Sequence, residues 1–249
     1  MIYGLYHSAA GMLTTEYRQG VIANNLANAE THGFKRDVAV FAERTPASEA
    51  GLRRNATNPD LAGLSGGLWL GRTHTDFSAG PMAATGNPLD VALDGPGFLT
   101  VEQNGQTYLT RDGRLVLTPD GQVVTATDGA AVLGAGGAPL RLSPRGGEIS
   151  IDEDGRIRQG DRPAGRLGLV DVADPAQLSK AGHGRYRLEG EPMPASAVRV
   201  RGGYVEQSGV RPIEEMVGMI EASRAYQINA QMVSLQDQTV SRLIGVVTA

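Results

Sequence analysis

The last forty or so residues keep apolar side chains at alternating spacings of three and four, which severely limits how this chain can fold. Eight of ten such positions are apolar, and the ten are Met216, Met219, Ser223, Tyr226, Ala230, Val233, Asp237, Val240, Ile244 and Val247. This spacing predicts an amphipathic helix. Pro212, Glu214 and Glu215 favour its start. At ~1.5 Å per residue the helix would be roughly 50 Å long.

The same segment carries a second apolar row, made of Ile228, Met232, Leu235 and Leu243. Ile228 follows Tyr226 by two residues and so lies about 200° around the helix from it. One partner cannot cover a helix that is apolar on opposite sides, so we expect several neighbours. The alternative is a two-helix stalk formed within one chain.

The first residues predict a second helix with a coiled-coil-like seam. Six of its eight positions are apolar, and the eight are Ile2, Leu5, Ala9, Met12, Glu16, Gln19, Ala23 and Leu26. The spacing of three and four is typical of helices that pack along their length. Gly33 is suited to the positive φ that often follows a helix end.

Three amides, Asn24, Asn25 and Asn28, interrupt the apolar end of this helix, although Asn is a mediocre helix former. Asn24 and Asn28 lie four residues apart on one face and flank the seam. Amides both donate and accept hydrogen bonds, and a polar residue near a seam can fix its register. Alternatively, Asn28 only ends the helix and Asn24 is solvated.

The middle of the chain predicts short antiparallel strands. Pairs that favour tight hairpin turns recur every eight residues, at Asn104-Gly105, Asp112-Gly113, Asp120-Gly121 and Asp128-Gly129. Between them lie TYLT, RLVLT and QVVTAT, which are rich in β-branched and apolar residues. We therefore expect a meander with positive φ at each turn. GEISIDEDGRIRQG adds a hairpin around Asp154-Gly155, and RLGLVDV and YRLEG predict further strands.

These patterns predict an α+β fold with discontinuous terminal helices and a central, mostly antiparallel β domain. We expect residues 1–33 and 208–249 to form a terminal helical assembly domain. Residues 34–79 are expected to be an extended connector, and residues 80–207 the β domain. The assembly seam is predicted to comprise Ile2, Leu5, Met12, Asn24, Leu26, Asn28, Met216, Met219, Tyr226, Val233, Val240 and Ile244.

Composition excludes several function classes. The net charge of -4 argues against a nucleic-acid binder or a binder of anionic membranes. The absence of cysteine excludes disulfides and thiolate sites. No apolar run is long enough to predict membrane insertion. The first basic residue is Arg18, so we expect no cleaved signal peptide.

No catalytic or metal-binding constellation is predicted. Residues 63–67 match the pattern G-x-S-x-G, but a nucleophile elbow needs a strand before it and a helix after it. The four histidines are scattered, and none pairs with another at metal-ligand spacing. Asp152 and Asp154 lack the later ligands of a calcium loop, so a charged hairpin tip is favoured. We expect no enzyme activity, cofactor or metal.

Four segments in order along the chain resemble the flagellar axial family, which comprises the rod and hook proteins. They are SAAGMLTTEYRQGVIANNLANAETHGFKRD, NPLDVALDGPGFLTV, TYLTRDGRLVLTPDGQVVTATDG and VEQSGVRPIEEMVGMIEASRAYQINAQMV. The residues that match the family's motifs are Asn24, Asn25, Leu26, Asn28, Gly33, Phe34, Lys35, Arg224, Ala225, Tyr226 and Asn229. The length and the segment VLGAGGAPL are most similar to the proximal rod members, with the distal rod members as the alternative.

The resemblance implies a structural subunit whose terminal helices pack against those of neighbouring subunits in a helical, torque-transmitting tube. It implies that the partners are other copies of the chain, neighbouring rod proteins and the flagellar type III export apparatus. It also implies a place in the periplasm-spanning rod of the basal body. The alternative from another class is a soluble oligomeric binding module whose β domain recognises a partner.

Overall fold

A computed structural model describes residues 2–43, 68–71, 73–195 and 197–247, with the backbone alone for Ile2, Tyr3, Leu70, Val246 and Val247. The G-x-S-x-G segment and residues 44–67 of the predicted connector lie outside the described residues. The chain groups into two compact units. The helical unit contains residues up to 27, 37–74 and from 211 onward, and the β unit contains residues 28–36 and 75–210.

The helical unit contains both long helices. Helix α1 is Ile2–Ala27 and helix α2 is Pro212–Val247. Pro212 occupies the first helical position, and Glu214 and Glu215 lie in the first turn, where their charge complements the helix dipole. Among the described residues, neither helix combines the length and the hydrophobicity that a membrane span requires.

Most of the strands are short, and those after Thr75 lie in the β unit. In chain order β1 to β20 are Asp37–Val38, Phe41–Glu43, Leu68–Leu70, His74–Thr75, Met82–Ala84, Val91–Asp94, Phe98–Gln103, Gln106–Thr110, Leu115–Leu117, Val123–Thr125, Ala131–Val132, Ile149–Ile151, Arg156–Gln159, Arg162–Arg166, Leu169–Asp171, Leu178–Gly182, Arg185–Leu188, Met193–Pro194, Arg199–Gly202 and Tyr204–Glu206. A 3-10 helix at Pro175–Gln177 precedes β16.

The largest sheet has nine antiparallel strands. Seven of them follow the order β16-β17-β8-β7-β11-β10-β9, and β15 pairs with both β7 and β18. A three-stranded sheet has the order β12-β13-β14, and β19 pairs with β6 and β20 with β5. In the helical unit β2 pairs with β3. The predicted α+β class with a central antiparallel β region is therefore confirmed.

Two apolar clusters form the core of the β unit. The larger one is built on fully buried aliphatic side chains such as Val91, Leu99 and Leu115. The smaller one contains Phe98 and Tyr186, and Phe77 meets the Phe98 ring edge-on at 5.8 Å between centroids. Burying these side chains supplies the main driving force for folding of this unit.

The predicted Asx-Gly turns are confirmed at all but one position. Asn104 and Gly105 both have positive φ, 55° and 75°, and join β7 to β8 in a two-residue turn. Gly121, Gly129 and Gly155 also have positive φ. Of the predicted Asx-Gly turns, Asn104-Gly105 is the one whose first residue also has positive φ, and outside these turns His183 has positive φ as well.

The prediction of a hairpin turn at Asp112-Gly113 is wrong. Strands β8 and β9 are not neighbours, because β7, β11 and β10 lie between them in the sheet, so the chain crosses the sheet here. Gly113 is not among the glycines with positive φ. Glycine is required instead by close approach, since a Cβ would overlap the carbonyl oxygen of Val91. The Val91 N–H donates to the Gly113 carbonyl at 2.9 Å.

The exact limits predicted for the assembly domain, the connector and the β domain stay predictions. The described part of the connector includes the paired strands β2 and β3, and the turn residues 28–36 belong to the β unit.

Candidate functional site: the terminal helices and the ionic cluster

Helices α1 and α2 pack antiparallel through small and polar side chains. Three contacts define the register, in which Gly4 faces Gln236, Gly11 faces Asn229 and Ile22 faces Gly218. The α1 positions on this face follow spacings of three and four, as in a coiled coil, and include Gly4, Ser8, Gly11, Ile22 and Asn25. This row was not predicted from the sequence, because the predicted seam was based on the spacing of apolar residues.

Two amide side chains of α2 lie against glycines of α1. A Cβ on Gly11 would lie 2.9 Å from Nδ2 of Asn229, and a Cβ on Gly4 would lie 2.7 Å from Nε2 of Gln236. Ala222 is buried in the same region of α2. In the described parts of the two helices, only two apolar side chains are buried, Ile22 and Ala222.

The opposite side of α2 exposes a row of large apolar side chains. At about 100° per residue these positions lie on one side of the helix, roughly opposite Ala222. The exposed fractions of their surfaces are 75% for Ile213, 51% for Val217, 54% for Ile220, 60% for Ile228 and 56% for Leu235. We call this set the outer row of α2. An exposed apolar row of this kind marks an interaction surface.

Asn25 is the amide that organises the end of α1. Its side chain is buried, donates to the carbonyl of Asp37 at 2.8 Å and accepts from the Asp37 N–H at 2.9 Å. It also donates to Oε1 of Glu215 at 3.3 Å. One side chain thus connects α1, the segment at Asp37 and the first turn of α2. Sequence analysis named Asn25 only as a motif residue.

The other two amides have different surroundings. Asn24 is exposed. Asn28 follows α1, and its carbonyl accepts from the Thr31 N–H at 3.1 Å while its side-chain oxygen accepts from the Thr31 hydroxyl at 3.2 Å. Asn28 therefore takes part in the turn that ends the helix. A role for Asn24 and Asn28 in setting register between subunits stays a prediction.

The predicted seam residues include both half-buried and exposed side chains. The half-buried ones are Met12, Leu26, Met219, Tyr226 and Val233, and the exposed ones are Leu5, Met216, Val240 and Ile244. The Ile2 side chain lies outside the described residues. Their role in assembly stays a prediction.

A buried ionic cluster lies in the β unit. Nζ of Lys35 is 2.6 Å from Oε1 of Glu206, and the Arg111 guanidinium is 3.4 Å from Oε2 of the same carboxylate. All three side chains are at most 5% exposed. Lys35 also donates to the Ser78 carbonyl at 2.7 Å, and the Gly80 N–H donates to Glu206 at 2.7 Å.

The cluster contains two cations and one carboxylate in a dry environment. Burial lowers the pKa of Lys35, and Glu206 only partly opposes this effect. Burial likewise lowers the pKa of Arg111. Because these charged groups are buried and bond to one another and to backbone carbonyls, the cluster joins chain segments.

Gly33 and Phe34 position Lys35. Gly33 has φ +65°, as predicted, and its N–H donates to the Glu206 carbonyl at 2.8 Å. A Cβ at Gly33 would overlap the backbone of Arg111. Phe34 is buried, with Nζ of Lys180 4.4 Å from the centre of its ring.

Three of the quoted motif segments meet at this cluster. Lys35, Arg111 and Glu206 come from HGFKR, TYLTRDG and VEQSG respectively. Sequence analysis named Lys35 and missed the other two. A charged residue inside each motif segment was the only available signal, and charge alone does not show which residues pair.

The C-terminal motif lies on α2. Arg224 is exposed, whereas Ala225, Tyr226 and Asn229 are half-buried. Asn229 donates to the Ala225 carbonyl at 3.0 Å and lies against Gly11.

Asp152, which the sequence does not favour as a calcium ligand, stabilises the local backbone. Oδ1 of Asp152 accepts from the backbone N–H groups of Asp154 and Arg156 at 3.1 and 2.9 Å, which shapes a hairpin tip. In the described part of the chain, no three histidine or acidic side chains are arranged to hold a metal ion.

Three family models match parts of the chain. Residues 5–35 match the flagella basal body rod protein model, and residues 92–159 match the D1 domain of the flagellar hook protein FlgE/F/G. Residues 201–246 match the C-terminal model of the flagellar basal body rod FlgEFG proteins.

Relatives match over nearly the whole length. The chain is 34% identical over 230 residues to the flagellar basal-body rod protein FlgF of Caulobacter vibrioides, covering 92% of this chain and 91% of that protein. It is 32% identical over 265 residues to FlgG of Buchnera aphidicola subsp. Schizaphis graminum, covering 98% and 99%. The match to FlgG of Bacillus subtilis is 29% over 264 residues, covering 98% and 99%.

Proposed function

The chain belongs to the flagellar basal-body rod protein family, and we propose that it builds the rod by polymerising through its terminal helices into the torque-transmitting axial tube. The family predicted from the sequence is thereby confirmed, as is the predicted function as a structural subunit of the flagellar rod. The chain assembles with other rod components of the basal body.

The exposed outer row of α2 is the observation that most supports this proposal. Five large apolar side chains in one row are more than half exposed, although the helix already packs against α1 on its other side. Leaving such a row in water has a free-energy cost that a neighbouring subunit removes. The two-sided apolar pattern in the sequence has the same explanation.

We further propose that the neighbours include other copies of this chain, and that the flagellar type III export apparatus delivers it. We propose a purely mechanical role without enzyme activity. The proximal part of the rod is favoured by the similarity of length and of the segment VLGAGGAPL. A distal rod subunit is the alternative that this similarity does not favour. A soluble binding module is not favoured, since rod proteins match nearly the whole chain.

The test is Ile228→Asp in cells that lack the native copy. Ile228 is 60% exposed, so the substitution should leave the isolated chain folded. Burying an unpaired carboxylate against a neighbour costs several kcal/mol, about 3 or more. We expect isolated basal bodies to contain at least tenfold less of the variant chain, with motility lost.

Ser234→Asp is the matched control, because it adds the same charge at an exposed polar position of the same helix. It should assemble at the wild-type level. Normal incorporation of Ile228→Asp would refute assembly through the outer row.

A further inference from the structure

An apolar groove on the other helix of the helical unit has the size and charge to receive the outer row. The groove runs beside Ala10 and Tyr17 of α1 and is closed on one side by Leu68 and Trp69 of β3, with a volume of about 710 Å³. Leu13, Leu68 and Trp69 remain 67%, 52% and 60% exposed. At about 100° per residue, the groove residues Leu13, Glu16 and Tyr17 lie more than 100° around α1 from Gly11, which faces α2.

We propose that this groove binds the outer row of α2 from a second copy of the chain, with Arg224 of one copy paired to Glu16 of the other. This inference rests on the proposed function and specifies the surfaces that join successive subunits. Each copy then contributes a groove and a row, which are two different surfaces, so the contact is of the head-to-tail kind that continues without closing on a pair.

The dimensions of the two surfaces agree. Ile220, Arg224 and Ile228 follow one another at intervals of four on one side of α2, and span about 12 Å at ~1.5 Å per residue. The α1 wall of the groove, from Ala10 to Tyr17, spans about 11 Å. An apolar helix face lying in a groove with anchors at i and i+8 is a common recognition mode.

The charges also agree. Glu16 is the acidic residue of the groove lining, and Arg224 lies between the two isoleucines of the row. Both side chains are exposed. Among the ion pairs of the described residues, none uses Glu16 or Arg224. The outer row therefore offers the groove both apolar contact and an opposite charge.

Tryptophan fluorescence can report on this contact without an added label. Trp69 is the single tryptophan, and it lies in the groove. When a second copy covers the groove, Trp69 leaves water, so its fluorescence should shift to shorter wavelength as the protein concentration rises. Emission that is independent of concentration while the protein assembles would show that the groove is not the contact.

The decisive experiment exchanges the two charges. Purified full-length Glu16→Arg and Arg224→Glu are each examined alone, mixed, and combined in one chain, by sedimentation velocity and Trp69 fluorescence. Each variant alone places like charges at every contact, so we expect its half-assembly concentration to rise about fivefold or more. In the mixture every groove can meet a row of opposite charge, so assembly should return, with alternating variants. The doubly substituted chain should also assemble alone.

The outcomes separate the two proposals. Single variants that assemble as well as wild type, or a mixture no better than the single variants, overturn the Glu16–Arg224 contact and leave the proposed function standing. Wild-type protein that stays monomeric at every concentration overturns both. Circular dichroism of each variant at low concentration checks that the monomer is folded, and these exposed positions should leave it unchanged.

Discussion

The buried cluster in the β unit leads to a prediction at the scale of single residues. Removing the carboxylate by Glu206→Gln preserves the shape but leaves Lys35 and Arg111 as two buried cations without a counter-ion. We expect the free energy of unfolding to fall by about 3–5 kcal/mol. Lys35→Met instead leaves the Arg111–Glu206 pair and should cost about 1–2 kcal/mol. Urea unfolding measures both, and an equal loss would contradict this account of the charges.

The pH dependence of the Glu206→Gln variant tests the same cluster. Burial already lowers the Lys35 pKa from its ordinary 10.5, and loss of Glu206 lowers it further. Between the folded pKa and 10.5 the unfolded chain binds the extra proton, so stability rises with pH. The deficit of Glu206→Gln should therefore shrink as pH approaches 10.5. The control is Lys35→Met/Glu206→Gln, which has no lysine here and should show no such recovery.

Glycine is required at position 113 and at position 105 for two different physical reasons, which substitutions can distinguish. Gly113→Ala should destabilise the β unit by about 3 kcal/mol, because the new methyl group overlaps the Val91 carbonyl and the backbone must move. Gly105 has φ +75° with open space around it, so Gly105→Ala carries only the conformational cost of about 1 kcal/mol. Thermal unfolding of the two variants measures the difference, and a larger loss at Gly105 would contradict it.

The roles of residues in tight turns could be predicted from the sequence, because the turn conformation itself requires that residue type. The roles of residues that bond to segments far away in the sequence could not be predicted. Gly33, Gly105 and Gly155 follow from turn chemistry that operates within a few residues. Asn25 and Glu206 bond to segments whose proximity only the folded chain creates. The Asp112-Gly113 prediction failed for the same reason, since a local turn signal cannot distinguish a turn from a close approach to another strand.

Among the structural elements, helix α1 has a glycine where the Asn229 side chain of α2 lies. A larger side chain at this position competes with Asn229 for the same space, so Gly11→Leu should weaken the helix pair by about 2 kcal/mol. Gly20 lies in the same helix with open space where a side chain would start, and Gly20→Leu should stabilise the helix by about 0.5–1 kcal/mol. Thermal loss of the helical circular dichroism signal measures both. If the two changes have the same sign, Gly11 is not a contact residue.

The two helices and most of the hairpins could be predicted, because periodicity and turn residues are local signals. The face that joins α1 to α2 could not. Apolar periodicity pointed to the seam through Met12 and Met219, whereas Gly4 and Gly11 are the α1 residues that face the amides of α2. In a protein that assembles, apolar residues make contacts with other copies as well as contacts within the same chain. The sequence does not distinguish these two kinds of contact.

At the scale of the whole molecule, the two units should differ in stability in the free protein. In the described parts of the helices, Ile22 and Ala222 are the buried apolar side chains and the outer row is exposed, whereas the β unit encloses two apolar clusters. We therefore expect slowly exchanging amides in β6 and β7 to be protected at least a hundredfold more than those of α1 and α2, a difference of about 3 kcal/mol. Hydrogen exchange followed by mass spectrometry measures this in dilute protein. On assembly the helices should gain protection and the β unit should change little. Helices as protected as β6 and β7 before assembly would instead support the intramolecular stalk, in which α1 alone suffices to hold α2.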